Sequence, residues 1–198
     1  MARILVACEL SGMVRRAFRN KGHDAYSCDI EPSDDGSLYH IEGDVRDVLA
    51  DEWALIIAHP PCTYMSNSGV RWLHADKGRW NHLDEAADFF KLFLHHPCKR
   101  MCIENPVMHR YAVSRIGRKH DQTIQPYEFG HPESKRTCLW LRGLPLLQAT
   151  HVLEKPACGH WENQTPSGQN RLGPSNKRAK IRSQTYHGIA TAMADQWG

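Results

Sequence analysis

The stretch Leu55-Ile56-Ile57-Ala58-His59-Pro60-Pro61-Cys62-Thr63-Tyr64-Met65-Ser66 decides how this chain reads. Residues 55–58 carry no polar side chain, as expected for a central parallel strand covered on both faces. Two prolines follow, and neither can donate to a ladder, so pairing stops and the backbone stiffens. Cys62 is thereby set at the carboxyl end of a core strand, where open α/β sheets bind their ligands. A nucleophile belongs in such a place.

A second run, Met101-Cys102-Ile103-Glu104-Asn105-Pro106, repeats the pattern with different chemistry at its end. Here an apolar strand stops on a carboxylate, an amide and a proline. If the two strands are neighbours, a thiol and a carboxylic acid face one crevice. That pair suits work on a pyrimidine. The thiolate adds to ring carbon 6 while the acid bonds N3, which makes carbon 5 nucleophilic.

Outward from these runs, strands alternate with helices. Residues 3–7 are a first buried strand, and Ser11 is placed as N-cap of a helix with Met13, Val14, Ala17 and Phe18 on its apolar face, ending near Lys21-Gly22. A second strand, 25–28, ends at Asp29, and a third lies near 39–42, before Gly43-Asp44-Val45. Residues 63–81 are polar and read as a long lid-like loop, with Trp72 and Trp80 available to stack on bases or on the domain itself. A helix over 83–95 carries Leu83, Ala86, Ala87, Phe90, Leu92 and Phe93, and a late strand covers 137–141. The fold class is therefore α/β: a doubly wound, mostly parallel sheet. Residues 146–182 form a small irregular insertion near the C-terminus, and 183–198 supply a helix that returns to a single domain spanning 1–198.

The chain has 198 residues, 41% of them hydrophobic, which is enough for one full core but not comfortably for two. Net charge is +3, permitting nucleic-acid contact without demanding it, and a compact basic run spans 176–182. Seven cysteines at irregular spacing exclude a complete disulfide framework. No stretch approaches the roughly 20 apolar residues a membrane span needs, and no signal-type segment opens the sequence, so a cytoplasmic setting is expected (host cytoplasm if the chain is phage-encoded). Cys158-Gly159-His160 is a metal-type pair without a second pair at ligand spacing; His131 and Cys138 are the loose candidates, and no metal is expected.

These motifs resemble those of the DNA (cytosine-5)-methyltransferases, especially small phage-type members, over residues 3–143 and 182–198. Pro60-Pro61-Cys62 with Ser66 is similar to the family's catalytic Pro-Cys loop, and Glu104-Asn105 to its Glu-Asn motif. Phe129-Gly130-His131-Pro132 followed by Lys135-Arg136 looks like the segment before the family's late strand, whose arginine supports the active site. The resemblance implies a Rossmann-like fold using S-adenosylmethionine, with DNA as partner. It assigns Cys62, Glu104 and Arg136 to catalysis. Asp29, Asp44, Ser11, Gly12 and Pro60 fall to the cofactor, and Ser66, Asn105, Lys135 and Arg71 to the substrate.

Two departures stand out. Where the family has Phe-x-Gly-x-Gly-Gly, this chain has Ala7-Cys8-Glu9-Leu10-Ser11-Gly12, leaving the helix N-terminus at Ser11 and Gly12 to help hold the cofactor. Gly188-Ile189-Ala190 stands where Gly-Asn is usual. The recognition region is also short, so either base specificity is short or relaxed, or a homodimer partner completes the site. Two rivals share parts of the pattern. Pro-Pro-Cys also resembles the nucleophile turn of thymidylate synthases, which modify free pyrimidine nucleotides by the same carbon-6 attack. The eroded glycine loop suits a non-catalytic DNA-binding module.

Overall fold

The computed structural model describes residues 1–67, 70, 72–172 and 183–198. Among these residues, seven strands form one sheet in the order β3-β2-β1-β4-β5-β7-β6. They are β1 (Arg3–Ala7), β2 (Asp24–Asp29), β3 (His40–Glu42), β4 (Leu55–Ala58), β5 (Met101–Pro106), β6 (Gln122–Ile124) and β7 (Thr137–Arg142). The pairings among β1 to β5 are parallel, whereas β7 runs antiparallel to both β5 and β6. The sheet is thus mostly parallel with one reversed strand, the class the sequence predicts.

Helices cover both faces: α1 (Met13–Asn20), α2 (Val45–Leu49), α3 (Trp72–Ala75), α4 (Arg79–Leu94), α5 (Arg110–Ile116) and α6 (His187–Trp197). Successive strand residues point to opposite faces, so one chain run feeds two cores. Ile56, Ala58 and Ile103 pack with Phe90 and Phe93 of α4 on one side. Leu55, Ile57 and Leu139 pack with Phe18 of α1 and Met193 and Trp197 of α6 on the other. This double covering is why β4 is an unbroken apolar run instead of an alternating one.

Three local expectations need correction. Residues 63–81 are not all loop: α3 lies within them and α4 begins at Arg79. On α4, Leu92 is 39% exposed while Leu94 is buried, because the turn of the helix carries 94 and not 92 toward the sheet. Ser11 is not the N-cap of α1; that position is Gly12, in the left-handed region with φ 64°. The sequence reading also passed over α5 and β6, both short. The described part of the insertion, 146–172, has only isolated bridges, Phe129 with His151 and Gln164 with Asn170, although Leu147 and Trp161 are buried. The basic run 176–182 and Arg71 lie outside the described residues.

Gly188, in the first turn of α6, is glycine for want of space. A Cβ there would sit 2.0 Å from the Phe129 carbonyl oxygen, and the Gly188 amide donates to His131 Nε2 at 2.9 Å. Gly188→Ala must therefore push α6 off the loop after β6. Overpacking of this kind costs about 2 kcal/mol or more. The expected outcome is a drop of that size in a urea unfolding experiment, with unchanged m-value.

Candidate active site

β4 and β5 are adjacent, parallel and in register, with Ala58 opposite Ile103. The next pair along is His59 and Glu104, and their side chains meet: Nδ1 lies 3.0 Å from Oε2. One residue further, the Asn105 Nδ2 donates to the Pro60 carbonyl at 2.8 Å. The Pro-Pro-Cys turn is therefore bolted to the strand end that carries the carboxylate. Asn105 is 1% exposed, and its amide donor is committed to that turn. Cys62 is half-buried, and its own carbonyl accepts from the Met65 and Ser66 amides at 3.1 and 2.9 Å. Ser66, itself buried, also bridges to Met108 just beyond β5.

His109 fixes the far side of this turn. Its Nε2 bonds the Tyr64 carbonyl at 2.9 Å, while its Nδ1 accepts from the Ala112 amide at 3.1 Å as the cap of α5. Both nitrogens are committed only if the ring is neutral with its proton on Nε2. Burial lowers its proton affinity; the Tyr64 contact opposes that and Arg115 adds to it, leaving the net shift downward. The unfolded state then binds more protons than the folded state just below the ordinary imidazole value of about 6.5, so stability is present above that pH and lost as pH falls. His109→Ala should cost roughly 2–3 kcal/mol. It should also flatten the loss of stability between about pH 6.5 and 5, read from urea midpoints at each pH.

Among the described residues, Lys135 is a cation that acts on Glu104. Burial pushes the Glu104 carboxyl up, but the His59 hydrogen bond, the Lys135 ammonium and the His59 charge outweigh this and hold it below its ordinary value. Lys135 Nζ itself donates to the Gln184 carbonyl at 3.1 Å. Arg136, expected as the supporting cation, is exposed and lines a surface cavity of about 370 Å³ with Val107, Thr123 and Tyr127. Arg136 acts instead on the neighbouring Cys138 thiol, which also feels the Glu104 charge. His59 was missed altogether. It lay in plain view before the prolines, but only the register of β4 on β5 reveals its partner.

The ends of β1, β2 and β3 gather the residues expected at a cofactor. Cys8 is the one described non-glycine residue at positive φ, 59°, so it keeps a left-handed turn that glycine would adopt freely. Burial pushes its thiol far up, with Asp29, Cys28 and Asp44 adding to the effect. Asp29 closes β2, and burial raises its carboxyl although the Glu31 and Ile30 amides pull it down. Ile30 follows it, 74% exposed. Gly43 donates to the Asp29 carbonyl at 2.8 Å, and Asp44 then caps α2, taking the Arg46 amide and guanidinium at 2.9 Å each.

The first loop differs from expectation in one physical respect. Glu9 is buried and accepts from the Val14 amide at 2.7 Å and the Arg15 amide at 3.3 Å, while Ser11 Oγ accepts from Met13 at 3.3 Å. The first-turn amides of α1 are thus satisfied from within, and the helix N-terminus does not offer them to an outside anion. Among the described residues no group of three or more histidines, cysteines or acids could hold a metal; Cys158 and His160 contact each other at 3.6 Å, and His131 is engaged with Gly188.

The site thus lies on an open doubly wound sheet with one reversed strand, with the thiol turn and a carboxylate at neighbouring strand ends and acids after β2 and β3. Among solved structures, the chain shares the fold of the Entamoeba histolytica methyltransferase EhMeth, with a TM-score of 0.50, 15% identity, and coverage of 83% of this chain and 58% of that one. A prophage protein of E. coli described as a DNA modification methyltransferase aligns at a TM-score of 0.48 and 12% identity, over 77% and 52%. The S. pombe Dnmt2 methyltransferase aligns at 0.40 and 15%, over 73% and 50%. The chain spans about half the length of these proteins, 50 to 58%. No family model and no curated protein matches it. No described helix is long and apolar enough to cross a membrane.

Proposed function

We propose that this protein is a DNA cytosine-5 methyltransferase in which Cys62 attacks carbon 6 of a flipped cytosine and Glu104 attends N3. The observation that carries this reading is the double tie between the two strand ends, His59 to Glu104 and Asn105 to Pro60, which keeps the thiol turn against the carboxylate. Its fold is shared with a methyltransferase, EhMeth.

The residues at the ends of β1 to β3 fit S-adenosylmethionine. Cys8 and Gly12 keep the backbone of the first turn in glycine-like conformations, and a Cβ on Gly12 would strike the Arg15 guanidinium. Asp29 would accept from ribose hydroxyls, and the exposed Ile30 would offer an apolar face to a flat ring. Asp44 keeps spare lone pairs beyond those given to Arg46. Bound there, the cofactor supplies an electrophilic methyl group.

The chain's own residues do the rest. The target base leaves the stack at a cost of a few kcal/mol. A free thiol is only about 3% ionised at neutral pH, so the Cys62 proton must leave before attack. As the sulfur–carbon bond forms, Glu104 offsets the charge developing at N3, and carbon 5 becomes the nucleophile. Loss of the carbon-5 proton and departure of the Cys62 thiolate restore the ring.

Transfer of tritiated methyl from S-adenosylmethionine separates the readings. Label in duplex DNA supports the proposal, and label only in pyrimidine nucleoside monophosphates would move the activity to free nucleotides. Absence of label in both, with no heat on titrating the cofactor, would leave a binding module.

A further inference from the structure

The methyltransferase reading uses Glu104 but leaves its partner without a role. His59 is 9% exposed and Glu104 12%, and they meet at 3.0 Å through Nδ1 and Oε2. The other imidazole nitrogen, Nε2, is buried with no hydrogen-bond partner among the described residues. An N–H left unpaired in such a place costs more than a bare lone pair. The ring at rest therefore keeps its proton on Nδ1 and donates it to an ionised Glu104.

That arrangement conflicts with the chemistry asked of the site. Cytosine N3 is an acceptor and needs a donor, which a carboxylate is not. Resting on the proposed function, we infer that His59 is a positioning residue for Glu104, and that the two share one proton balance which decides when the site can engage cytosine. In the competent form Glu104 carries a proton on the oxygen facing N3 while His59 Nδ1–H stays on Oε2. During attack the Glu104 O–H bond breaks, N3–H forms, and the carboxylate left behind keeps its bond from His59. His59 thus makes Glu104 a stronger acid and, by the same interaction, scarcer in its protonated form.

The charged and titratable groups around Glu104 are consistent with this. His59 comes from the end of β4 and Lys135 from the segment before β7, and both favour the carboxylate. Cys102 on β5 and Cys138 on β7 feel its negative charge, and burial keeps their thiols neutral. His59 is the group whose removal changes the balance without adding a new charge.

His59→Leu removes the Nδ1–H donor to Oε2 and adds no charge. Carbon-13 NMR of the Glu104 carboxyl in the cofactor-free protein should show its titration moving upward by about one pH unit or more in this variant. The alkaline fall of kcat/KM for methyl transfer should move up by the same amount. His59→Phe, which keeps a flat ring without the donor, serves if the first variant does not fold, and circular dichroism decides that. Coincident Glu104 titrations in wild type and variant would overturn the inference. Should wild type transfer no methyl group to any pyrimidine, the proposed function fails, while the NMR comparison still judges the pair.

Discussion

Cys62→Ser is expected to lower methyl transfer by about 10⁴-fold or more while leaving the fold in place. Oxygen replaces sulfur with little change of shape, yet a hydroxyl is far less acidic than a thiol and is a poor nucleophile without a dedicated base. Several ties that hold the turn do not use the sulfur: Asn105 grips the Pro60 carbonyl, His109 the Tyr64 carbonyl, and the Met65 and Ser66 amides the carbonyl of residue 62. Each survives the substitution. The melting temperature should therefore stay within about 2 °C of wild type. Full activity in the variant would remove Cys62 from the chemistry, and a collapse in melting temperature would recast it as a packing residue.

The second large effect is on stability. Arg15 is 1% exposed, with Nη1 donating to Ser27 Oγ at 2.8 Å and Nη2 paired with Asp35. Ser27 in turn meets His40, so one guanidinium joins α1, β2, β3 and the loop after β2 that flanks Asp29. Gly12 exists as glycine to make room for it, since a Cβ there would lie 2.3 Å from Nη2. Arg15→Ala should destabilise the protein by about 2–5 kcal/mol, chiefly through the cavity left by a large buried side chain, since the part-exposed Asp35 keeps Arg16. The variant also has a pH signature. Burial would raise the Asp35 carboxyl, but the Ser33 hydroxyl and the Arg15 and Arg16 guanidiniums hold it well below the ordinary value. A depressed carboxylate contributes stability above its unfolded value of about 3.9, lost as pH falls through the folded value. Removing Arg15 should therefore make the decline of stability below about pH 4 shallower, measured as urea midpoints across that range.

The two cores and the strand-end positions of Cys62 and Glu104 were legible in the sequence because buried parallel strands write themselves as apolar runs broken by proline. Register was not legible. That His59 meets Glu104 follows from Ala58 lying opposite Ile103, and no local pattern states it. The glycine loop misled for a related reason. Its left-handed turn persists at Cys8, and the helix start is satisfied by Glu9, a residue that composition would place on the surface. Short elements such as α5 escaped because a histidine, not the usual Ser, Thr, Asp or Asn, caps it.

The account is tested most directly by trapping the bond it requires. DNA with 5-fluorocytosine at target positions, incubated with S-adenosylmethionine, blocks the last elimination because fluorine cannot leave carbon 5 as a proton does. A protein–DNA adduct stable to denaturant, mapped by mass spectrometry to the peptide holding Cys62, is the predicted result. An adduct on another residue, or methyl transfer to ordinary DNA with no adduct on the fluorinated strand, would contradict it.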